Sequence, residues 1–340
     1  MTTPATDWKE VIAPDEPAHF DALAAQLREV QRARAKSHGS VSRGLHAKAH
    51  VGLRAELTVR DGLPPWARVG PFAAPGTFKA WLRLSNGGAV HASDKAPDVR
   101  GFALKVTGVG GKKLIPGMED APTMDFLAIL TQSMPFKKPA DFVGLVVAAN
   151  GPKWLALPRI LGVLGLDTFR VLGVMQKGMG ARIESLVEET FYSVLPIRWG
   201  DAAVKYSFAP VSPPAPSAPV TNPHTRYADD VRARVSHAPL RWTLRVQPFV
   251  NEAQTPIEDS TRQWDSPWLD VADVTVPVQD PASDAGTALT ARVDTFSFDP
   301  WHAPVEFRPL GAMMRARSHA YRDSTIERGA AKEPTPDVWS

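Results

Sequence analysis

Apolar and polar residues alternate along several short stretches of this chain, which is the pattern of β-strands with one buried face. The clearest stretch is 51–59, where Val51, Leu53, Ala55, Leu57 and Val59 alternate with small, polar or charged residues. Seven other stretches are predicted as strands, at 77–85, 101–107, 123–131, 202–209, 240–246, 271–278 and 289–298. Eight short strands with alternating faces predict a closed antiparallel β-barrel.

Helical periodicity interrupts this pattern in two places before the C-terminal region. A stripe of Phe20, Leu23, Leu27 and Val30 predicts a helix that begins near Pro17. Residues 137–200 are predicted to form a helical insertion after the fourth strand. Two of its segments, 154–164 and 168–176, are strongly apolar. We expect them to pack against the rest of the domain, and a membrane surface or a homodimer interface is the alternative.

The pattern as a whole predicts a single α+β domain with an eight-stranded antiparallel barrel, a helical insertion and flanking helices. Its expected parts are an N-terminal arm and helix (1–42), a first barrel half (43–136), the insertion (137–200), a second barrel half (201–300), a helical region (301–330) and a tail (331–340).

Composition narrows the classes of function. The 340 residues include 39 basic and 36 acidic ones, a near balance that does not favour a nucleic-acid partner. There is no cysteine, which excludes disulfides, thiolate metal sites and cysteine nucleophiles. Any metal must then be held by histidine, tyrosine, carboxylates or a prosthetic group. Residues 1–10 show no signal peptide, and no apolar run reaches the roughly 18 residues of a membrane span. A cytoplasmic protein is therefore expected.

The stretch 314–329 places a tyrosine and two arginines on one face of a predicted helix. At about 100° per residue, Arg317, Tyr321 and Arg328 fall on the same side of a helix that Gly329 would end. Two cations next to a phenol favour its phenolate form, and a ferric ion would favour it further. A tyrosinate can serve as the proximal ligand of haem iron. The alternative is a surface helix with solvated arginines and a sideways-packed tyrosine.

Two other clusters precede this helix: Arg43 with His46, and Arg83 with Ser85 on one face of the second strand. Arginine pairs with carboxylates in a bidentate manner, and histidine with a hydroxyl partner suits proton transfer to and from peroxide. A planar, dianionic macrocycle with a central cation would unite the three clusters.

The motifs that contain these residues resemble those of the haem catalases, and more closely those of small catalase-like haem proteins without the additional domains. The motifs are Arg-Gly-Leu-His-Ala-Lys at 43–48, Leu-Arg-Leu-Ser-Asn at 82–86, Ser-Asp-Lys-Ala-Pro-Asp-Val-Arg-Gly-Phe-Ala-Leu-Lys at 93–105, and Arg-Ser-His-Ala-Tyr at 317–321, continuing to Arg328. Their order and spacing match the catalase pattern over residues 43–136 and 240–329.

The resemblance implies a haem b cofactor and a role for each matching residue. His46 would be the distal acid–base, and Ser85 would fix its tautomer through the far ring nitrogen. Tyr321 would be the iron ligand, with Arg317 stabilising its phenolate. The residues expected to contact the propionates are Arg43, Arg83 and Arg328. Asp94 would line the peroxide channel, and Phe136 or Met134 would pack on the haem face.

Two departures from the catalase pattern shape the expected activity. Ala121 aligns with the distal asparagine that catalases carry, so an amide that orients peroxide is missing. The resemblance therefore favours a peroxidase that consumes hydrogen peroxide or an organic hydroperoxide with a small-molecule reductant, and weak or no catalase activity. The alternatives are a fatty-acid hydroperoxide lyase or isomerase, and a haem-binding protein without turnover. The isomerase is disfavoured because the related allene oxide synthases have threonine where Leu45 stands.

Overall fold

The computed structural model describes residues 3–38, 43–150, 152–180, 183–217, 219–330 and 333–334. Within these residues one antiparallel sheet contains nine strands: β1 Ala49–Val59, β2 Gly76–Asn86, β3 Arg100–Thr107, β4 Thr123–Ile129, β5 Phe191–Tyr192, β6 Ile197–Trp199, β7 Ala202–Pro210, β8 Leu240–Pro248 and β9 Leu269–Val276. The same residues form seven α-helices: α1 Glu16–His38, α2 Pro139–Ala149, α3 Lys153–Leu164, α4 Asp167–Met179, α5 Arg226–Val235, α6 Asp284–Thr295 and α7 Ala312–Glu327.

The sheet closes on itself. Its strand order is β5-β4-β3-β2-β1-β9-β8-β7-β6, and β5 also pairs with β7, so eight strands form a ring and β6 extends from it. The short β5 bridges β4 and β7 through single positions such as Ile129 opposite Tyr192. This confirms the prediction of an eight-stranded antiparallel barrel.

One side chain completes the wall where β5 is too short. The hydroxyl of Tyr206 accepts from the amide of Leu127 and donates to the carbonyl of the same residue, both at 2.9 Å. It thereby satisfies two backbone groups of β4 that a longer neighbouring strand would have paired. Tyr206 is buried, and burial raises the pKa of its phenol above the ordinary value. It therefore remains a neutral structural bridge.

Alternation in β1 places its apolar face inside the barrel. Val51, Leu53, Ala55, Leu57 and Val59 are all at most 3% exposed. Full burial of a valine or leucine side chain contributes about 1.5–3 kcal/mol. The outward face of β2–β4 carries polar residues as well as Trp81, and it is covered by α6 and the segment that follows.

The predicted strand at 289–298 is wrong, because residues 284–295 form α6. Ser283 caps this helix by accepting from the amide of Gly286, and Asp284 stands in its first turn, where an acidic group is favourable. The eighth strand of the ring is instead β5, inside the region predicted to be helical. The helix at 226–235 was not predicted.

The predicted N-terminal helix and insertion helices are present as α1 to α4. None of the helices in the described part of the chain has the length and apolar character of a membrane span.

α7 is held in place by ion pairs on two sides. Arg28 and Arg32 of α1 contact Asp323 and Glu327 of α7, both at 2.8 Å. At the start of α7, Arg315 contacts three glutamates that lie far from it in the sequence: Glu10, Glu16 and Glu258. The helix ends as predicted, since Gly329 adopts a left-handed φ of 58°. These contacts fix the face that presents Tyr321.

Candidate active site

His46 stands just before β1 in a conformation that the surrounding backbone enforces. Its φ is 55°, and its amide donates to the carbonyl of Gly87 at 2.9 Å. Its Nδ1 lies 3.0 Å from the hydroxyl of Ser85, as predicted from the sequence. Gly101, opposite Ser85 in the sheet, leaves room for the ring, because a Cβ there would lie 2.6 Å from it.

The surroundings of His46 keep its ring neutral. Burial lowers its pKa to about 3, and the positive charges of Arg83, Arg317 and Arg43 act in the same direction. A neutral imidazole has one nitrogen available to accept a proton. When Nδ1 donates to the Ser85 hydroxyl, that nitrogen is Nε2, and His46 can then take up a proton from a bound molecule and return it.

Three arginines converge on the C-terminal end of α6. The Nη2 atom of Arg43 donates to the carbonyls of Asp294 and Phe296, and Arg328 donates to those of Thr295 and Phe296. Arg83 donates to the Asp294 carboxylate at 2.9 Å and to the His46 carbonyl at 2.8 Å. The free carbonyls at a helix C-terminus attract cations. Arg83 therefore ties His46 to this cluster.

The cluster has an excess of positive charge, which fits an anionic ligand. Burial and the charges of its two neighbours lower the pKa of Arg43 well below its usual range, and burial lowers the pKa of Arg328 to about 10. Asp294 contacts Arg83 at 2.8 Å and lies 3.8 Å from Arg43, so these two guanidinium groups share one carboxylate. Buried charges are costly unless they are paired. The donor set thus fits the two propionate carboxylates of a haem.

The proximal pair lies on α7. The Nη2 atom of Arg317 donates to the phenol oxygen of Tyr321 at 2.7 Å, and its guanidinium also lies 4.9 Å from the centre of the Tyr321 ring. The charge interaction with Tyr321 is the largest contribution that raises the pKa of Arg317 against the effect of burial. A hydrogen bond from a permanent cation favours the phenolate form of a tyrosine.

The fold brings the distal and proximal parts to the same region of the molecule. The positive charge of Arg317 on α7 lowers the pKa of His46, and Tyr321 acts electrostatically on Arg43. Gly44 packs close to α7, since a Cβ at this position would lie 3.8 Å from the Ser324 hydroxyl.

Asp94 lies in a buried polar network beside this region. Its carboxylate accepts from Lys48 at 2.6 Å, from Asn86 at 3.3 Å and from the amide of Tyr227 at 3.2 Å. Asn86 in turn contacts His50 and Arg100. Asp94 is thus firmly held by its neighbours, and its predicted role in a peroxide channel stays a prediction.

Phe136 is buried and its ring lies 5.8 Å from that of Phe142, measured between centroids. Phe142 belongs to the cluster in which α1 and α2 pack on Ala312 and Ala316 of α7. Met134 is partly buried against the main core. The packing places Phe136 near the proximal helix, while its contact with a haem face remains a prediction.

The structure corrects the position assigned to the missing distal amide. Thr107 pairs with Thr123, so Ala121 lies at the far end of the β3–β4 ladder from Gly101 and His46. Six residue steps separate the two ends, about 20 Å. The β4 residue opposite Gly101 is Ile129, and the next residue on the same face is Leu127. Both are apolar, so the outward face of β4 offers no amide beside His46.

Comparison with solved structures agrees with this architecture. Similar structures are a fungal catalase (TM-score 0.66, 15% identity, 97% of this chain and 66% of that chain) and catalase A from Saccharomyces cerevisiae (0.62, 15%, 96% and 68%). A bacterial catalase is also similar (0.62, 16%, 99% and 65%). The chain has the catalase fold. It spans about two thirds of the length of these catalases. No protein-family model and no curated sequence matches it.

This catalase-fold chain also contains a buried charge cluster that the sequence did not reveal. Lys105 of β3 and Asp125 of β4 form a fully buried cross-strand ion pair at 2.7 Å, and Lys105 contacts Glu333 at the same distance. Glu333 also accepts from Thr123 and Ser297. Of the predicted polar tail the structure describes residues 333–334, and Glu333 contacts the barrel wall. The alternation of residues in β3 and β4 would have allowed the pairing of Lys105 with Asp125 to be predicted. Nothing in the local sequence indicates the contact with Glu333.

Asp299 lies next to this cluster. Its Oδ1 accepts from the amide of Trp301 at 2.9 Å, and its side chain is buried. Burial raises its pKa to about 7, the charge of Asp125 adds to the effect, and Arg317 and Lys105 oppose it.

Replacing Asp299 with asparagine is expected to change how stability depends on pH. In the unfolded chain this carboxyl titrates near its ordinary pKa of 3.8, so between that value and about 7 the folded state binds a proton that the unfolded state has lost. The free energy of unfolding of the wild type should therefore fall as pH rises through this interval, by up to about 4 kcal/mol relative to Asp299→Asn. Urea unfolding of both proteins at about pH 5 and pH 8 covers about two pH units of this interval and should show roughly 3 kcal/mol of the difference. Parallel pH profiles would contradict it.

Proposed function

We propose that this chain is a haem-b-dependent oxidoreductase that consumes peroxide. The observation that supports the proposal best is the convergence of three elements: the neutral His46 beside Ser85, the arginine cluster at the end of α6, and the Arg317–Tyr321 pair on α7. Each is suited to a different part of one ligand. Together they would suit a haem: the arginines would pair with its propionates, Tyr321 would bind its iron, and His46 would serve as the acid–base for peroxide.

In this proposal Tyr321 binds the iron and Arg317 keeps the phenol oxygen ionised. Arg43, Arg83 and Arg328 pair with the propionates, in place of some of their present bonds to backbone carbonyls. When bound, the haem supplies the redox-active iron at which peroxide is reduced. His46 takes the proton from one peroxide oxygen and delivers it to the other, the leaving oxygen. Ser85 holds the ring in the tautomer that this transfer needs.

Peroxidase activity is proposed to exceed catalase activity. Catalase turnover needs a second hydrogen peroxide, oriented so that it acts as a two-electron reductant and leaves as oxygen. The outward residues of β4 nearest His46 are Leu127 and Ile129, which cannot donate a hydrogen bond to it. A small organic reductant would supply the two electrons instead, and the products would be water, or an alcohol and water from an organic hydroperoxide.

The proposal is tested with protein expressed under ample haem supply. We expect a coloured protein that oxidises a phenolic reductant with hydrogen peroxide and releases little oxygen. Introducing an amide with Ile129→Asn should increase oxygen release, whereas the control Ala121→Asn, at the far end of the ladder, should not. A colourless protein would contradict haem binding, and vigorous oxygen release by the wild type would contradict the preference for peroxidase chemistry.

Activity on a fatty-acid hydroperoxide without added reductant would point to the lyase or isomerase alternative. A haem-loaded protein that leaves every peroxide unchanged would point to a haem-binding protein without turnover. These outcomes separate the proposal from its two alternatives.

A further inference from the structure

The helices α3 and α4 of the insertion have an apolar surface on the side that faces away from the barrel. The exposed fractions of its four most prominent side chains are 78% for Trp154, 49% for Leu157, 88% for Leu166 and 65% for Phe169. Seven of the fifteen large apolar side chains that are exposed in the described residues lie between residues 147 and 174. Scattered exposed apolar residues are ordinary, but this degree of concentration marks an interaction surface.

The opposite sides of the same helices are already packed. Ile160 of α3 and Val171 of α4 are buried in the main core, and Thr168 is completely buried. Gly144 of α2 lets α3 approach closely, since a Cβ there would lie 2.5 Å from Val163. The two helices thus expose large apolar side chains although their inner sides are already packed. A surface helix of an isolated domain normally has a polar outer face.

The charged residues near this surface indicate which kind of partner binds it. Residues 151–183 contain five basic residues and a single acidic one, Asp167. Asp167 is itself held by Arg170 through two hydrogen bonds of 2.6 Å. Arg159 of α3 and Lys177 of α4 are exposed on the same two helices. An apolar surface with a basic rim is typical of segments that lie in the headgroup region of an anionic bilayer.

A second copy of the chain fits this surface less well. A two-fold symmetric contact places the same patch of each subunit against itself. Arg159 and Lys177 would then face like charges, with no free acidic residue of the segment to compensate for them. At 12 and 13 residues, α3 and α4 are also shorter than the roughly 20 residues that span a bilayer. Contact with lipid would therefore occur in the plane of the interface.

We propose that the outer surface of α3 and α4, formed by Trp154, Leu157, Leu166 and Phe169 with its basic rim, binds the surface of anionic membranes. Leu166 and Phe169, at the turn between the helices, insert among the acyl chains. Trp154 lies at the opposite end of α3 and occupies the headgroup level, where tryptophan is favoured. This binding is independent of the His46–Tyr321 site.

Vesicle co-sedimentation of the full-length protein tests the proposal. We expect it to bind vesicles of phosphatidylcholine with about one third phosphatidylglycerol, more strongly than phosphatidylcholine alone and less strongly as salt is added. Leu166→Asp/Phe169→Asp should weaken binding at least about tenfold. Arg159→Gln/Lys177→Gln should weaken it about fivefold per lost charge. The control Val211→Asp/Val278→Asp adds the same charge at exposed apolar positions elsewhere and should bind nearly as well as the wild type.

Absence of binding to either type of vesicle would overturn the proposal, as would equal binding by the wild type and Leu166→Asp/Phe169→Asp. A wild-type dimer that this double substitution dissociates, and that does not bind vesicles, would show that a second copy covers the surface instead. Sedimentation velocity of both proteins without vesicles reports on that outcome.

Discussion

Tyr321→Phe is expected to remove most of the chain's affinity for haem and to shift or abolish the visible absorption of the haem-supplied protein. The substitution deletes the oxygen that Arg317 contacts at 2.7 Å and leaves the ring in place. Loss of an outer-shell partner of a metal ligand already costs about 10–100-fold in affinity, so loss of the ligand itself should cost at least about 100-fold. Haem titration followed by absorption spectroscopy measures the effect.

Tyr192→Phe provides the matched control, because Tyr192 lies on β5 and its ring packs against Trp268. It should bind haem as the wild type does. Arg317→Gln should retain haem but alter its spectrum, since the phenol oxygen loses its cationic partner. If Tyr321→Phe has the spectrum and affinity of the wild type, the proposed iron ligand is wrong.

His46→Gln is expected to lower the rate constant for reaction with hydrogen peroxide by about 10²–10⁴-fold while haem binding persists. Glutamine keeps a polar group near Ser85 but cannot accept and return a proton at neutral pH. Stopped-flow absorption spectroscopy of the haem-loaded variants measures this rate constant. His91→Gln, at an exposed position, serves as the control and should react at the wild-type rate.

The pH dependence gives a second readout of the same residue. Because the pKa of His46 is lowered to about 3, its ring stays neutral at moderately acidic pH. The wild-type rate constant should therefore be nearly flat between about pH 5 and pH 8, whereas a histidine with an ordinary pKa of about 6.5 would lose activity across this range. Equal peroxide reactivity in His46→Gln and the wild type would refute an acid–base role for His46.

The local pattern of apolar and polar residues was sufficient to predict most of the barrel strands and the side-chain contacts within single elements. The alternation in β1 predicted its buried face correctly, and seven of the eight predicted strands are strands in the structure. The spacing of Arg317 and Tyr321 on one helix also predicted their contact. These features depend on residues within a few positions of one another, where the period of the backbone alone decides which side chains meet.

Local patterning failed where a capping residue or a distant segment decides the structure. Residues 289–298 alternate weakly like a strand, but Ser283 caps a helix that begins at Asp284. Ala121 was aligned with the distal asparagine of catalases only from its position in the sequence motif. The register of β3 with β4 instead places Ile129 beside Gly101. Register is a property of two paired strands, and a single strand does not contain it.

The sequence by itself determined the barrel strands, the helix that presents Tyr321, and the identity of the residues suited to a haem. Only the tertiary structure decided how they assemble. Arg43 and Arg328 meet because the C-terminal carbonyls of α6 attract their guanidinium groups, and Arg83 joins them through the carboxylate of Asp294 in the same turn. Lys105, Asp125 and Glu333 meet because a buried charge requires a partner from whichever segment packs against it. Both clusters join residues more than 200 positions apart, and such contacts arise from chain packing, which local periodicity does not encode.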